Sequence, residues 1–160
     1  MKKWLIFLII IVVAGLLQAT ILNVFRVFQV KPDILLVLVV FAGVILRPKQ
    51  ALLIAVCAGL MKDIFGMGEI GYSILFFPAC SFAIIKIRRN IAIENEFIYT
   101  AFVFIFTILN NLAMKIAMSL TGSYIPLGQF LKVLFLESIY NSLAAFLLFL
   151  LGRKYFDTDI

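Results

Sequence analysis

The sequence predicts an all-α, polytopic membrane protein: a bundle of about six transmembrane helices with both ends in the cytoplasm. Of its 160 residues, 65% are hydrophobic, whereas about half is usual for a soluble domain. Seventeen phenylalanines and a mean hydropathy of +1.19 leave too little polar surface for a water-exposed fold. The apolar runs are long and do not alternate, so they indicate helices rather than barrel strands. With no long hydrophilic stretch, we expect residues 1–160 to form a single domain.

The first helix follows Lys2 and Lys3, and its apolar run Leu5–Leu17 could pass for a signal peptide. The residues after the run, Gln18–Thr20, form a poor small-x-small cleavage site, and further spans follow. We therefore interpret it as a retained span. The predicted helices run from about Trp4 to Leu22, Pro32 to Arg47, Pro48 to Asp63, Gly71 to Lys86, Phe97 to Ser119 and Gln129 to Leu151.

The second and third predicted helices are short and meet at Arg47–Pro48. Pro32 suits the first turn of a helix, where its missing N–H costs nothing. Each helix has about sixteen residues, or roughly 24 Å at 1.5 Å per residue, against a hydrocarbon core of about 30 Å. They fit a tight hairpin that longer helices shield, or a place where the bilayer thins. Alternatively they form a re-entrant hairpin, which leaves four crossing helices.

Breaks in the apolar pattern separate the later helices. The glycine-rich segment 66–71 ends the third helix, and Pro78 predicts a kink in the fourth. A loop with Glu94 and Glu96 precedes the fifth helix, the turn-rich segment Leu120–Gly128 separates the fifth from the sixth, and Arg153-Lys154 close the chain's last span.

The distribution of lysine and arginine predicts the orientation. In membrane proteins these residues concentrate on the cytoplasmic side. Six spans with an inside N-terminus place nine of the fourteen inside: Lys2, Lys3, Arg47, Lys49, Lys86, Arg88, Arg89, Arg153 and Lys154. The five on the outer side are Arg26, Lys31, Lys62, Lys115 and Lys132.

Composition also excludes several functions. The net charge of +6 comes from residues at helix ends, so it predicts membrane topology and no nucleic-acid partner. Cys57 and Cys80 lie in apolar segments and behave as small hydrophobic residues. The sequence has no histidine and no nucleophile–base pair, paired catalytic carboxylates, phosphate loop or metal-ligand cluster. We expect no cofactor, no metal and no enzymatic activity.

Charged and small residues predict how the second and third helices pack. Ala51, Ala55, Gly59 and Asp63 are spaced by four and share one face of the third helix, which allows close helix approach. A turn at Arg47–Pro48 brings Asp33 near Lys62, with Asp33 in the first helical turn, where the dipole favours an anion. The pair is either two helix-end charges that meet at the interface, or a polar docking or ligand site at the outer rim.

Helices five and six carry a second polar pattern. Thr107, Asn111, Lys115 and Ser119 follow one another at intervals of four on helix five, while Glu137 and Asn141 do so on helix six. One antiparallel register pairs Lys115 with Glu137 and Asn111 with Asn141, within about a turn. These groups either fix the helix register or form a substrate or proton pathway. Gln18, on helix one, predicts a further interhelical hydrogen bond.

Several of these motifs occur in an order that resembles the MreD family of bacterial rod shape-determining membrane proteins. The similarity lies in Pro32-Asp33 opening helix two, Gly59-Leu60 and Asp63 near the end of helix three, and Gly71 soon after. Gln18 and Tyr140-Asn141 also resemble the family pattern, and the likeness covers nearly the whole chain. The departures are Val56-Cys57, where the family often has Gly-Phe, and Arg47, where a glycine is common.

The resemblance implies a non-enzymatic scaffold in the bacterial inner (cytoplasmic) membrane. Such proteins work in the elongation machinery that lays peptidoglycan along the cell cylinder. The implied direct partner is MreC, which has one membrane span and a large periplasmic part. Through MreC the family joins MreB filaments, the RodA glycosyltransferase and a penicillin-binding transpeptidase, with membrane lipid as the surroundings. Pro32, Asp33, Gly59, Asp63, Glu137 and Asn141 are the residues expected to matter most.

A second function remains open at this point. The substrate-binding subunits of energy-coupling-factor vitamin transporters are small six-helix proteins of similar architecture. In such a protein, polar and aromatic groups converge on a pocket for a small molecule. The residues of this chain that could line one are Gln18, Asp63, Tyr72 and Tyr124.

Overall fold

A computed structural model of the chain describes residues 2–20, 30, 32–65, 71–89, 96–122 and 126–156. The described residues form six helices and no strand: α1 (Lys2–Thr20), α2 (Ile34–Ile45), α3 (Pro48–Phe65), α4 (Tyr72–Arg88), α5 (Glu96–Leu120) and α6 (Leu127–Phe156). The predicted all-α class and helix order are confirmed. The connection 23–29, the residues 66–70, Tyr124, and the side chains of Glu94, Glu96, Arg153 and Lys154 lie outside the described part.

The short helix α2 is the centre of the structure. All of its residues from Leu35 to Gly43 are buried, and it contacts each of the five other helices. A helix that is apolar on every side is stable only when other elements surround it. Its 12 residues span about 18 Å at 1.5 Å per residue. The predicted shielding of the short hairpin is confirmed for α2, whereas α3 exposes Leu53, Leu60 and Ile64.

Side chains satisfy the backbone at both ends of α2. Asp33 is the N-cap, since its carboxylate accepts a hydrogen bond from the N–H of Leu36 at 3.2 Å. The helix therefore begins after Asp33, and the prediction that Pro32 starts it was wrong, because the capping residue itself lies outside the helical turn. At the other end, the Arg88 guanidinium donates to the carbonyls of Gly43 and Val44 at 2.9 and 2.8 Å.

Helices α3 and α4 form a close antiparallel hairpin. Ala51 and Ala55 are fully buried, as the small-residue stripe predicts. At Gly59 the two backbones nearly touch: a Cβ there would lie 2.6 Å from the Ser73 carbonyl oxygen and 2.7 Å from the Ile74 Cα. Both atoms belong to the backbone of α4, so neither can rotate away.

Aromatic side chains join α2 to the α5–α6 pair. Tyr99 stacks on Phe149 with ring centroids 4.7 Å apart, and Phe41 meets Tyr99 edge-on at 5.8 Å. The Tyr99 hydroxyl donates to the Val37 carbonyl at 3.1 Å, so the one polar atom of this fully buried ring is satisfied. Such pairs add roughly 0.5–1.5 kcal/mol beyond their buried area.

Large apolar side chains cover the outside of the longest helices. On α6 the exposed residues recur every three or four positions, at Leu127, Leu131, Phe135, Ile139, Leu143, Leu147 and Leu150. Among the described residues, two segments are long and apolar enough to cross a membrane by length and composition, Phe97–Leu120 and Leu127–Leu150. Trp4–Thr20 and Ile34–Ile45 are shorter apolar helices. An apolar exterior of this kind fits contact with lipid.

The close approach at Gly59 predicts that Gly59→Ala destabilises the protein. Alanine improves helix propensity by about 1 kcal/mol, but the added methyl forces α3 and α4 apart, which costs about 1–3 kcal/mol or more. We expect a lower melting temperature in detergent, measured by loss of the monodisperse gel-filtration peak after heating.

Gly15→Ala is the matched control. A Cβ at Gly15 meets only the flexible side chain of Met61, whose sulfur lies 3.3 Å away. That side chain can move, so the melting temperature should stay within error or rise. Equal destabilisation by the two variants would contradict the proposed backbone contact.

Candidate functional site

A buried carboxylate links three helices at one end of the bundle. Asp33, 3% exposed, forms an ion pair through Oδ2 with the Lys62 ammonium of α3. Its Oδ1 accepts a hydrogen bond from the Gln18 amide of α1 at 3.3 Å, besides the one from the Leu36 N–H. The predicted proximity of Asp33 and Lys62 is confirmed, and Gln18 forms the interhelical hydrogen bond that the sequence predicts.

Two amide side chains extend these contacts. The Gln18 Oε1 accepts from the Leu35 N–H at 3.3 Å, and the Asn141 Oδ1 of α6 accepts from the Asp33 N–H at 2.7 Å. The Asn141 Nδ2 donates to the Thr107 hydroxyl of α5 at 3.1 Å. Gln18, Asp33, Lys62, Thr107 and Asn141 are hereafter the Asp33 network. It connects α1, α2, α3, α5 and α6.

The polar groups of the Asp33 network pair with one another and hold the helices together. The carboxylate of Asp33 is neutralised by Lys62, whose ammonium also lies 5.0 Å from the ring centroid of Phe77 on α4. Asn141 is fully buried and both ends of its amide are bonded. Buried polar groups cost free energy unless they are paired. These groups satisfy one another, so the network fixes helix positions and holds no free base or nucleophile.

Helices α5 and α6 face each other as predicted and their register lies within about a turn of the predicted one, but the two predicted contacts do not form. Asn141 bonds Thr107 rather than Asn111, whose amide donates to the Thr107 carbonyl of its own helix at 3.2 Å. The Lys115 ammonium lies 4.1 Å from the ring centroid of Phe130, a cation–π contact in place of the predicted ion pair with Glu137. A polar stripe that repeats every four residues fits several registers equally, so its spacing alone does not select one.

Asp63 caps the neighbouring helix. Its Oδ2 accepts from the N–H groups of Gly71 and Ile74, and its Oδ1 from that of Ser73, all at 3.1 Å. The first turn of α4 lacks intrahelical partners for these donors, and a carboxylate there is also favoured by the helix dipole. Gly59, one turn earlier, lets α4 come close enough for this cap to form.

Two adjoining cavities open beside the Asp33 network. The smaller, about 210 Å³, is lined by Gln18, Val30, Pro32, Asp33, Lys62, Val133 and Glu137. The larger, about 320 Å³, shares Lys62, Val133 and Glu137 with it and extends between α3 and the α5–α6 pair as far as Lys115 and Phe130. We call the larger one the Lys115 cleft. Glu137 and Lys115 thus lie on the same cleft although they do not form the predicted pair.

Three residues with clear roles were missed as site candidates. Arg88 was counted only as a cytoplasmic charge, Tyr99 was not singled out, and Asn110 was overlooked beside Asn111. Asn110 is 3% exposed and lines the Lys115 cleft, and its carbonyl accepts from the Tyr72 hydroxyl at 2.9 Å. Asn110 does not belong to the polar residues of α5 that recur every four positions, so that spacing gave no signal for it.

Metal-binding groups do not converge in the described part of the chain. Within those residues there is no cluster of three or more His, Cys, Asp or Glu side chains that could hold an ion. Cys57 and Cys80 are free thiols. Hydrogen bonds and one ion pair connect the residues of the site.

Comparison with known proteins gives one finding. A family model described as "rod shape-determining protein MreD" matches residues 1–158. No curated protein and no solved structure matches the chain.

Asn141 and Asn111 have different hydrogen-bond partners, so we predict that their substitution has different effects on stability. Asn141→Leu leaves the buried Asp33 N–H without its partner, while the Thr107 hydroxyl keeps its bond to the Val103 carbonyl at 2.8 Å. We expect a loss of about 1–3 kcal/mol. Asn111→Leu removes only a bond to a carbonyl of its own helix, and we expect a change within about 0.5 kcal/mol. Unfolding in detergent with increasing dodecyl sulfate measures both. Equal losses would contradict the assigned network.

Proposed function

Because the chain belongs to the MreD family of rod shape-determining membrane proteins, we propose that it is a non-enzymatic scaffold subunit of the elongation complex. In this proposal it is a multi-pass protein of the bacterial inner membrane that binds MreC directly. Through MreC it joins MreB, RodA and a penicillin-binding transpeptidase in the synthesis of peptidoglycan along the cell cylinder.

The Asp33 network is the observation that carries the proposal. Its charged and amide groups bond one another across five helices, which holds the bundle in one arrangement. A scaffold needs such a preorganised frame, because a rigid surface loses less entropy when a partner binds. Catalysis needs a group poised to react with a substrate, and the network offers none.

Charge distribution supports the orientation with both ends in the cytoplasm. In that orientation the start of α2, the end of α3 and the start of α4 lie at the outer side of the membrane. The Asp33 network and the Asp63 cap then face the periplasm, the compartment that the large part of MreC occupies.

The outer end of α3 provides an apolar surface for this partner. Leu60 and Ile64, one turn apart, are 42% and 71% exposed, and Phe65 beside them is 44% exposed. Asp63 holds the start of α4 against the same turn. We propose that the membrane-proximal part of MreC packs on Leu60 and Ile64.

Co-purification with MreC in mild detergent tests the interface. The double variant Leu60→Ala/Ile64→Ala should lower the recovery of MreC about fivefold or more, because a loss of about 1 kcal/mol over the two truncations suffices for that change. Asp63→Ala should weaken the complex as well, since the first turn of α4 loses its cap. The protein must remain monodisperse in each case.

Leu53→Ala/Val56→Ala is the matched control. Leu53 and Val56 are exposed on the same face of α3, with Leu53 about 16 Å from Ile64 along the helix axis. MreC recovery should match the wild type. Full recovery with the Leu60/Ile64 variant would exclude this interface. A wild-type chain that binds no MreC but carries a vitamin-like molecule would replace the scaffold function with uptake.

The orientation has its own test at the α2–α3 turn. In a background with Cys57→Ala and Cys80→Ala, Lys49→Cys should react with a membrane-impermeant maleimide only after spheroplasts are lysed. Thr121→Cys, in the exposed turn after α5, should react in intact spheroplasts. Labelling of Lys49→Cys in intact spheroplasts would instead support a re-entrant hairpin.

A further inference from the structure

The Lys115 cleft contains a buried amide that the protein leaves without a partner. Asn110 is 3% exposed, and its Oδ1 accepts no hydrogen bond from the described part of the chain. Asn110 lines the cleft, and its backbone carbonyl already accepts a hydrogen bond from the Tyr72 hydroxyl. Leaving a buried acceptor unpaired costs roughly 1–3 kcal/mol. A bound molecule with an O–H or N–H donor would remove that cost.

The same cleft presents a cation at its wall. The Lys115 ammonium contacts the Phe130 ring, and the described residues place no carboxylate within ion-pair distance of it. The other lysine of the cleft, Lys62, is already paired with Asp33. Glu137 lies seven residues from Phe130 on α6, about 10 Å further along the helix. The region around Lys115 therefore favours an anion.

Part of the remaining wall of the cleft is apolar and adaptable, while Asn111, Gln129 and Glu137 add polar groups to the lining. Met114 and Met118 lie one turn apart on α5 and line it together with Phe130. Methionine side chains adjust to chains of different shape. At the same end of the helix pair, Leu120 and Leu127 are 84% and 60% exposed, so the apolar wall continues onto the outer surface.

We propose that the Lys115 cleft binds an anionic phospholipid with a hydroxyl-bearing headgroup, of the phosphatidylglycerol class. The phosphate lies at the Lys115 ammonium, a headgroup hydroxyl donates to the Asn110 Oδ1, and an acyl chain follows Met114 and Met118 onto the outer face. This inference relies on the membrane location of the family and is independent of MreC binding. A free polar ligand would leave the methionine wall and its continuation uncovered.

Native mass spectrometry of the protein in a neutral detergent tests the proposal without any partner. Phosphatidylglycerol should be retained about tenfold more than phosphatidylcholine of the same acyl chains, the effect of one charge-assisted contact. The retention of phosphatidylglycerol should also exceed that of phosphatidylmethanol, which has the same charge but no headgroup hydroxyl. Free glycerol phosphate at the same concentration should not displace it.

Variants separate the two headgroup contacts. Lys115→Met should abolish the preference over phosphatidylcholine, whereas Lys115→Arg should keep it. Asn110→Leu should abolish only the preference over phosphatidylmethanol. Lys132→Met, which removes an exposed lysine of α6 outside the cleft, should change neither ratio.

Three results would overturn the lipid site. The first is equal retention of the three lipids by the wild type, and the second is full displacement by glycerol phosphate, which would indicate a soluble ligand. The third is efficient crosslinking of Met118→Cys in cells to MreC rather than to a lipid probe, which would assign the cleft to a protein segment. Because the lipid measurement uses the chain alone, loss of MreC binding in the earlier test does not affect it.

Discussion

The fold depends on one constraint: the backbone ends of a short central helix must find hydrogen-bond partners inside an apolar bundle. The first N–H groups and last carbonyls of any helix lack intrahelical partners. At α2 these groups are enclosed by the surrounding helices, so side chains from other helices supply the bonds. Gln18 and Asn141 serve the N-terminal end and Arg88 the C-terminal end. The arrangement of the surrounding helices follows from where those three side chains have to reach.

We propose that the ion pair between Asp33 and Lys62 contributes to the specificity of the fold. Replacing a buried pair by apolar residues is often neutral, whereas removing one partner is costly. Such a pair therefore disfavours alternative arrangements of α2 and α3 more than it lowers the energy of the native one. Asp33 also accepts from Gln18 and caps α2, so any displacement of α1 or α3 breaks several bonds at once. That coupling suits the scaffold role proposed above.

Much of the architecture could be predicted because apolar runs, prolines and helix-end charges are local signals. The turn at Arg47–Pro48 was enough to predict that Asp33 lies beside Lys62. The four-residue spacing of Ala51 and Ala55 was enough to predict that both are buried. The register of α5 on α6 was predictable only to within about a turn, since Thr107, Asn111 and Lys115 place polar side chains at successive turns of one face. Arg88 and Asn110 were missed because their roles depend on which backbone or cavity lies opposite, and no periodicity in the chain encodes that.

The side chains that satisfy the ends of α2 lie far from it along the chain, which affects how the protein is assembled during synthesis. Asn141 lies 108 residues after Asp33, and Arg88 lies 45 residues after Gly43. Chains are synthesised from the N-terminus at about 5–20 residues per second, so α2 leaves the ribosome several seconds before its last partner does. During that interval its apolar surface lacks the helices that cover it in the folded chain. The bundle is therefore completed only by its final helix, and the helices cannot all reach their native contacts one after another in chain order.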